Sequence, residues 1–401
     1  MTTLTEKIIA RAAGQELVEP GDEVWATADR IVMNDTGGPR RIAALIEELG
    51  GLLDKSRVVL ASDHFVPAAN ARQAEILRVT RDWAHTYELP HFYAHHGILH
   101  NLLLQDGLVE AGMLVVGSDS HTVTAGAVGA VALSVGSTEL ATVLATGEVW
   151  LNVPPSARID LSGNLPLQLD MRDVTMHILG QLKSDFALYH AVEFGGSFVE
   201  TLSLDERLVL SNQGIEMGAT NAIVQPIDFA PDANTHYAKH YQYDVSALAP
   251  QVALPHRVDN IAAADDIPET NIDSAWIGSC VGGRYADLKA AAHILDGQQV
   301  RIPLSITPAT SAIYQRCLQE GILGTLVAAG ATIQQAGCGP CAGLHSGAVA
   351  AGERIITTAT RNFKGRMGSR ESEVYLASPY TVAASAITGR IIDPRHVMER
   401  A

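Results

Sequence analysis

Cys338-Gly339-Pro340-Cys341 sets two thiols within one turn of chain, and Cys280 adds a third from 58 residues upstream, in a glycine-rich turn of its own. Three chemistries suit such an arrangement. The first is a dithiol redox pair, although Gly337 stands where a tryptophan usually precedes that tetrad and the chain is far longer than the fold that carries it. The second is a structural zinc site, which needs four Cys or His ligands, with Cys317 or a histidine completing the set. The third is an iron–sulfur cluster held by only three thiolates, leaving one iron an exchangeable position from which to act as a Lewis acid. Cys317 itself sits in a helical pattern, where a free cysteine reads as a small buried hydrophobe. Spacing favours the third reading and leaves all three open.

Acid–base and anion-binding residues gather at comparable places. Asp63-His64 and Asp119-Ser120-His121 each follow an apolar run, and Arg361 and Arg366 stand in a glycine-containing loop after another. Asp119-Ser120-His121 is not a hydrolase triad, because neighbours at a strand end do not face one another as a triad must. His96 and His100 have helical i, i+4 spacing but lack the glutamate of a zinc-protease motif, and His91, His95 and His96 read as structural or exposed. The two arginines could be surface ion-pair formers. Their loop setting beside the other motifs favours anion binding, for which the rigid guanidinium fork is suited.

The elements that must position these groups are short buried strands. Residues 57–62, 113–118, 275–279 and 354–359 are apolar runs bounded by turn residues and alternating with helical patterns. That pattern predicts βαβ units and mostly parallel sheets, whose ligands bind outside the carboxyl ends of the strands. Four strand ends from distant parts of the chain therefore point to one shared site. A chain of 401 residues exceeds one core. Cuts near 154 and 264 give three domains, 1–154, 155–263 and 264–401, with a small-residue helical region over 126–153 and a Pro-containing linker over 253–268. Repeats and low-complexity stretches are absent. The net charge of −16 and the lack of a basic run argue against nucleic-acid binding. The most apolar long stretch, 126–153, is interrupted by polar and acidic residues and predicts no membrane span. The N-terminus reads as an amphipathic helix rather than a secretory signal, so the cytoplasm is expected.

Taken in order along the chain, residues 32–35, 62–65, 97–100, 117–122, 136–139, 212–216, 277–280, 337–341, 361–368 and 372–379 resemble the aconitase superfamily, and within it the large subunits of 3-isopropylmalate dehydratase and homoaconitase. Each stretch is weak alone, but their joint order is specific and covers nearly the whole chain. The resemblance implies three α/β/α domains around a four-iron four-sulfur cluster, with Cys280, Cys338 and Cys341 as ligands. It implies a hydro-lyase that removes and re-adds water on a 2- or 3-hydroxy dicarboxylate, with 3-isopropylmalate foremost. Homoaconitase or another alkylmalate dehydratase is the alternative within that chemistry, and an apo RNA-binding relative the alternative of another class. It gives catalytic places to Asp63, His64, His100, Asp119, His121 and Glu216. It gives substrate-binding places to Asn34, Asp35, Ser120, Asn212, Arg361 and Arg366.

The resemblance also implies a partner. The family's base is a serine on a swivelling domain, which isopropylmalate-type enzymes carry on a separate small subunit. Residues 368–371 are only superficially similar to that serine motif and fall inside the large-subunit match, so the chain alone is expected to be nearly inactive. Several positions depart from the common pattern. Thr360 stands where Asn usually precedes the arginine, Val281-Gly282-Gly283 follows the first cysteine, Val123 follows Thr122, and residues 343–347 are altered. Such changes near a cluster tune its surroundings and the ligand's orientation, and they bear on which malate is the substrate.

Overall fold

A computed structural model describes residues 1–398. Three main sheets carry them. The first is wholly parallel and runs in the order His91–Tyr93, Val58–Ala61, Arg30–Asn34, Leu114–Gly117, Val131–Ser134. The second, also parallel, runs Asn221–Val224, Ala191–Gly195, Ser156–Ser162, Lys239–Asp244. The third has seven strands, Ile261–Ala263, Gln251–Ala253, Glu373–Ala377, Arg354–Thr357, Ser274–Ile277, Leu304–Ile306 and Thr332–Ile333. Only its first two join antiparallel. A separate two-stranded ribbon pairs Glu23–Thr27 with Glu148–Asn152.

Strand order matters more than strand number here. In the first sheet the chain moves outward in one direction from Arg30–Asn34, then returns to lay Leu114–Gly117 on that strand's other side. In the third sheet Ser274–Ile277 plays the same part, with Leu304–Ile306 on one side and Arg354–Thr357 on the other. At such reversals the connecting helices leave on opposite faces and a crevice opens at the carboxyl ends. Asn34, Asp35 and Asp119 lie at the first reversal, and Cys280, Thr360 and Arg361 at the second.

Two readings of the sequence are corrected. Residues 126–153 are not one helical region: the strand Val131–Ser134, the helix Ser137–Thr146 and the strand Glu148–Asn152 divide them. Small residues served both periods, and Gly136 and Gly147 punctuate the change. Residues 253–268 are not a bare linker either. Ile261–Ala263 pairs antiparallel with Gln251–Ala253, which pairs in turn with Glu373–Ala377. Strands of three residues give too little alternation to be read from sequence.

The helix Met171–Leu182 docks the second sheet's layer onto the third through buried charge. Asp170 caps it in a box with Asp173. The fully buried Arg172 donates to the Ala359 carbonyl at 2.7 Å, one residue before Thr360. Asp173 accepts the backbone N–H of Gln251 at 2.8 Å. Burial, and then the charge of Asp170, push its carboxyl up to about 8. The sign of the linkage follows. The folded chain keeps this proton while the unfolded one loses it near pH 4, so the stabilisation present at low pH is lost as pH rises toward 8. We expect the unfolding free energy of the native chain to fall between pH 5 and 8 more steeply than that of Asp173→Asn, by up to about 1.4 kcal/mol per pH unit, with Tm following. Parallel Tm–pH curves for the two proteins would remove Asp173 as the source.

Candidate active site

The three cysteines converge from two loops. Cys280 follows the strand Ser274–Ile277 through Ser279, whose backbone is left-handed at φ +80°. The Ser279 hydroxyl donates to the Thr358 carbonyl at 3.1 Å, tying this turn to the loop that carries Thr360 and Arg361. Cys338 caps the short 3-10 turn Gly339–Ala342 and Cys341 lies within it. Gly339 is required there: its φ is +54°, and a Cβ at this position would lie only 2.9 Å from the Thr307 hydroxyl. All three thiols are free. With Thr36, His64, His100, Asp119, Ser120, His121, Ser279, Leu344, Thr360, Arg361 and Arg366 they line a cavity of about 270 Å³. A larger cavity of about 510 Å³, bordered by Glu269, Arg301, Arg390 and His396, contains none of the residues selected from sequence. Chemistry rather than size picks the site.

Asp63 and His64 act as a unit. His64 Nδ1 lies 2.7 Å from Asp63 Oδ1, 3.5 Å from Asp35 Oδ1 and 3.8 Å from Cys338 Sγ. Asp35 also accepts the backbone N–H groups of His64 and Phe65 at 3.2 and 3.1 Å. Burial works against a charge on His64, but Cys338, Asp63 and Asp35 outweigh it and hold the imidazole well above its ordinary range. Asp63 Oδ2 accepts Leu99 N–H at 3.0 Å, and its carbonyl accepts Cys338 N–H at 2.9 Å. The His64 imidazole and the second cysteine are therefore held by the same residue.

Asp119 gathers the second set. It accepts His100 Nε2 at 3.0 Å, His121 N–H at 2.8 Å and Asn34 Nδ2 at 3.1 Å. His121 Nε2 stands 3.4 Å from Glu216 Oε1, an ion-pair distance too long for a good hydrogen bond. Arg361 Nε donates to the same oxygen at 2.7 Å and its Nη1 to Ser120 Oγ at 3.1 Å. Burial opposes charge on Asp119, yet the two histidines keep it well below the usual carboxylate range. Glu216 is lowered as well, burial being outweighed by His121 and Arg361. His121 is raised by Asp119 and Glu216 against burial and against Arg361. The result is an alternating row of charge, stabilised because each buried ion has a partner.

Every residue selected from sequence falls in or beside this cavity, with Asn212 reaching it from the helix Leu204–Gln213. Asn212 Nδ2 donates to Cys280 Sγ at 3.2 Å and to Thr124 Oγ1 at 2.8 Å. Arg366 stands 3.9 Å from Cys341 Sγ, and its buried Nε has no partner among the described residues. Sequence reasoning missed Asn101, which donates to the Cys280 carbonyl at 3.1 Å, and Thr124, which orients Asn212. Neither carries a signal beyond standing near a motif histidine. It also passed over Arg172, whose burial depends on residues far away in the chain.

The model of the aconitase family (aconitate hydratase) matches residues 6–229 and 260–389. A 3-isopropylmalate dehydratase large subunit of Heliobacterium modesticaldum is 42% identical, covering 98% of this chain and 99% of the relative. A 2,3-dimethylmalate dehydratase large subunit of Eubacterium barkeri is 41% identical over 98% and 99%. The holo-form of aconitase X from Thermococcus kodakaraensis superposes with a TM-score of 0.52 at 15% identity, covering 86% of this chain and 89% of that one, which speaks to the fold alone. The chain belongs to the aconitase family. Among the described residues no helix is long and apolar enough to cross a membrane.

Proposed function

We propose that the chain is the large subunit of a 3-isopropylmalate dehydratase-type hydro-lyase, with a four-iron four-sulfur cluster on Cys280, Cys338 and Cys341. The observation that carries this reading is the meeting of three free thiols with two histidine–carboxylate sets and two arginines around one cavity. The donor set fits the cluster. One zinc ion bonds sulfur at about 2.3 Å and would draw all its sulfurs within about 4 Å of one another. Among the described residues the three sulfurs do not all lie within 4.8 Å of one another, although Asp63, His64 and Cys338 do offer ligand atoms within that distance. Their separation around an open cavity suits a polynuclear group.

When bound, such a cluster would supply a Lewis-acidic iron for the substrate's hydroxyl and one carboxylate. The chain's own residues account for the rest. Arg361 and Arg366 present guanidinium N–H groups to the substrate carboxylates. His64, oriented by Asp63 at 2.7 Å, donates to the leaving oxygen. Asp119 orients His100 and His121, and Glu216 holds Arg361 and His121 in place. The base that removes the carbon-bound proton comes from a small partner subunit.

Anaerobic reconstitution with iron and sulfide tests the cofactor, and mixing with the small subunit of a relative tests the activity. About four irons and four sulfides per chain are expected, with 3-isopropylmalate dehydration appearing only in the mixture. Full turnover by the chain alone would refute the division of labour. The relative named for 2,3-dimethylmalate keeps a second substrate in view, and the same assay run with dimethylmalate decides between them.

A further inference from the structure

We propose that Leu344 selects the substituent of the substrate, by giving the mouth of the cavity an apolar wall that accepts a short branched alkyl group and disfavours a charged one. The inference rests on the hydroxy-dicarboxylate reading above. More than half of the lining residues carry ionisable groups: two arginines, three histidines, Asp119 and the three thiols. Its large aliphatic side chains are Ile98 and Leu344. Ile98 is 2% exposed and already packed, whereas Leu344 is 40% exposed. A lone exposed leucine on a surface carries no meaning. At the rim of a pocket whose arginines are engaged by carboxylates, it marks the place where the remaining, uncharged part of a ligand can leave water.

The backbone holds this leucine in place. Gly343 turns the chain at φ +65°, where an added Cβ would come within 3.1 Å of the Arg366 carbonyl and 3.2 Å of the Gly368 nitrogen. The Leu344 carbonyl accepts Gln73 Nε2 at 2.6 Å, and the same Gln73 is anchored by Ala69 N–H at 2.7 Å. His345 hydrogen-bonds the Pro67 carbonyl. The backbone of the loop thus lies against the arginine loop on one side and is hydrogen-bonded to residues 67–73 on the other, which fixes where the Leu344 Cβ stands.

The test uses the assembled large–small complex and calorimetry with non-reacting analogues: succinate and its 2-methyl, 2-ethyl and 2-isopropyl derivatives. In the native complex each added carbon should tighten binding by about fourfold. In Leu344→Ala the increment should drop below about twofold, with succinate itself bound as before. With the corresponding malates, KM should rise with alkyl size while kcat holds. Leu344→Lys should shift preference toward a carboxyalkyl substituent. Leu344 is partly exposed, so folding is expected to survive and is checked by circular dichroism. Unchanged increments in Leu344→Ala, beside a native complex that shows them, would overturn the role of Leu344 alone. A native complex that binds none of the succinates and dehydrates none of the malates would overturn the substrate reading, and this proposal with it.

Discussion

Cys280→Ser should lose the visible absorbance of the reconstituted chain and at least about a thousandfold of dehydratase activity, because removing the Lewis acid withdraws several kcal/mol from the barrier. The fold should survive. Cys280 is buried beside Trp276 and Val281 in an apolar cluster. Serine has nearly the same volume and keeps an acceptor for Asn212 Nδ2, which now lies 3.2 Å from the sulfur. The stability cost should stay near 1 kcal/mol, the worth of one altered hydrogen bond. Cys317→Ser is the control. That residue is buried in the helix Ser311–Gln319 and packs with apolar neighbours remote from the cavity, so iron, sulfide and activity should be unchanged. Equal loss in both variants would mean that the spectrum reports general misfolding. Normal iron content in Cys280→Ser would refute its place as a ligand.

That contrast between two cysteines shows what the sequence made legible. Cys280, Asp63, Asp119 and Arg361 each end or follow an apolar run of strand length, and a parallel strand must deliver whatever follows it to the carboxyl edge of its sheet. Cys317 sits among helix-forming residues, which places it in a core. Chain-local patterns of this kind pointed to one shared site at the strand ends, while the places of His100, Glu216, Asn34, Asp35 and Asn212 came from the family resemblance. What could not be read was set by pairing between distant segments. Gln251–Ala253 is a strand because Glu373–Ala377 lies beside it, and its three residues say nothing on their own. Arg172 stands in an ordinary helical stretch, and only the fold reveals that its guanidinium reaches the Ala359 carbonyl behind Arg361. The strand order that makes two reversals face one cavity is likewise a property of the whole chain.

Arg361→Lys tests the assignment that depends most on such assembly. It should raise the KM for the dicarboxylate about a hundredfold, the loss of roughly 3 kcal/mol of bidentate recognition. A guanidinium has five N–H donors in a fixed fork. In the structure one is spent on Glu216 Oε1 at 2.7 Å and one on Ser120 Oγ at 3.1 Å, which leaves three for a ligand. A lysine ammonium offers three donors from a single point and cannot meet Glu216, Ser120 and a carboxylate together. It keeps the positive charge, however, so Glu216 stays ionised and the row through His121 to Asp119 survives. For that reason kcat should fall by less than about tenfold, since an interaction made equally with substrate and transition state acts on KM. Arg361→Met removes the charge as well. Glu216 is then buried without its cation, its carboxyl should take up a proton at higher pH, and stability should drop by about 3–5 kcal/mol. The two variants separate the arginine's grip on substrate from its support of Glu216. If Arg361→Lys instead lowers kcat and leaves KM alone, Arg361 serves the transition state through Glu216, and the carboxylate is held by Arg366.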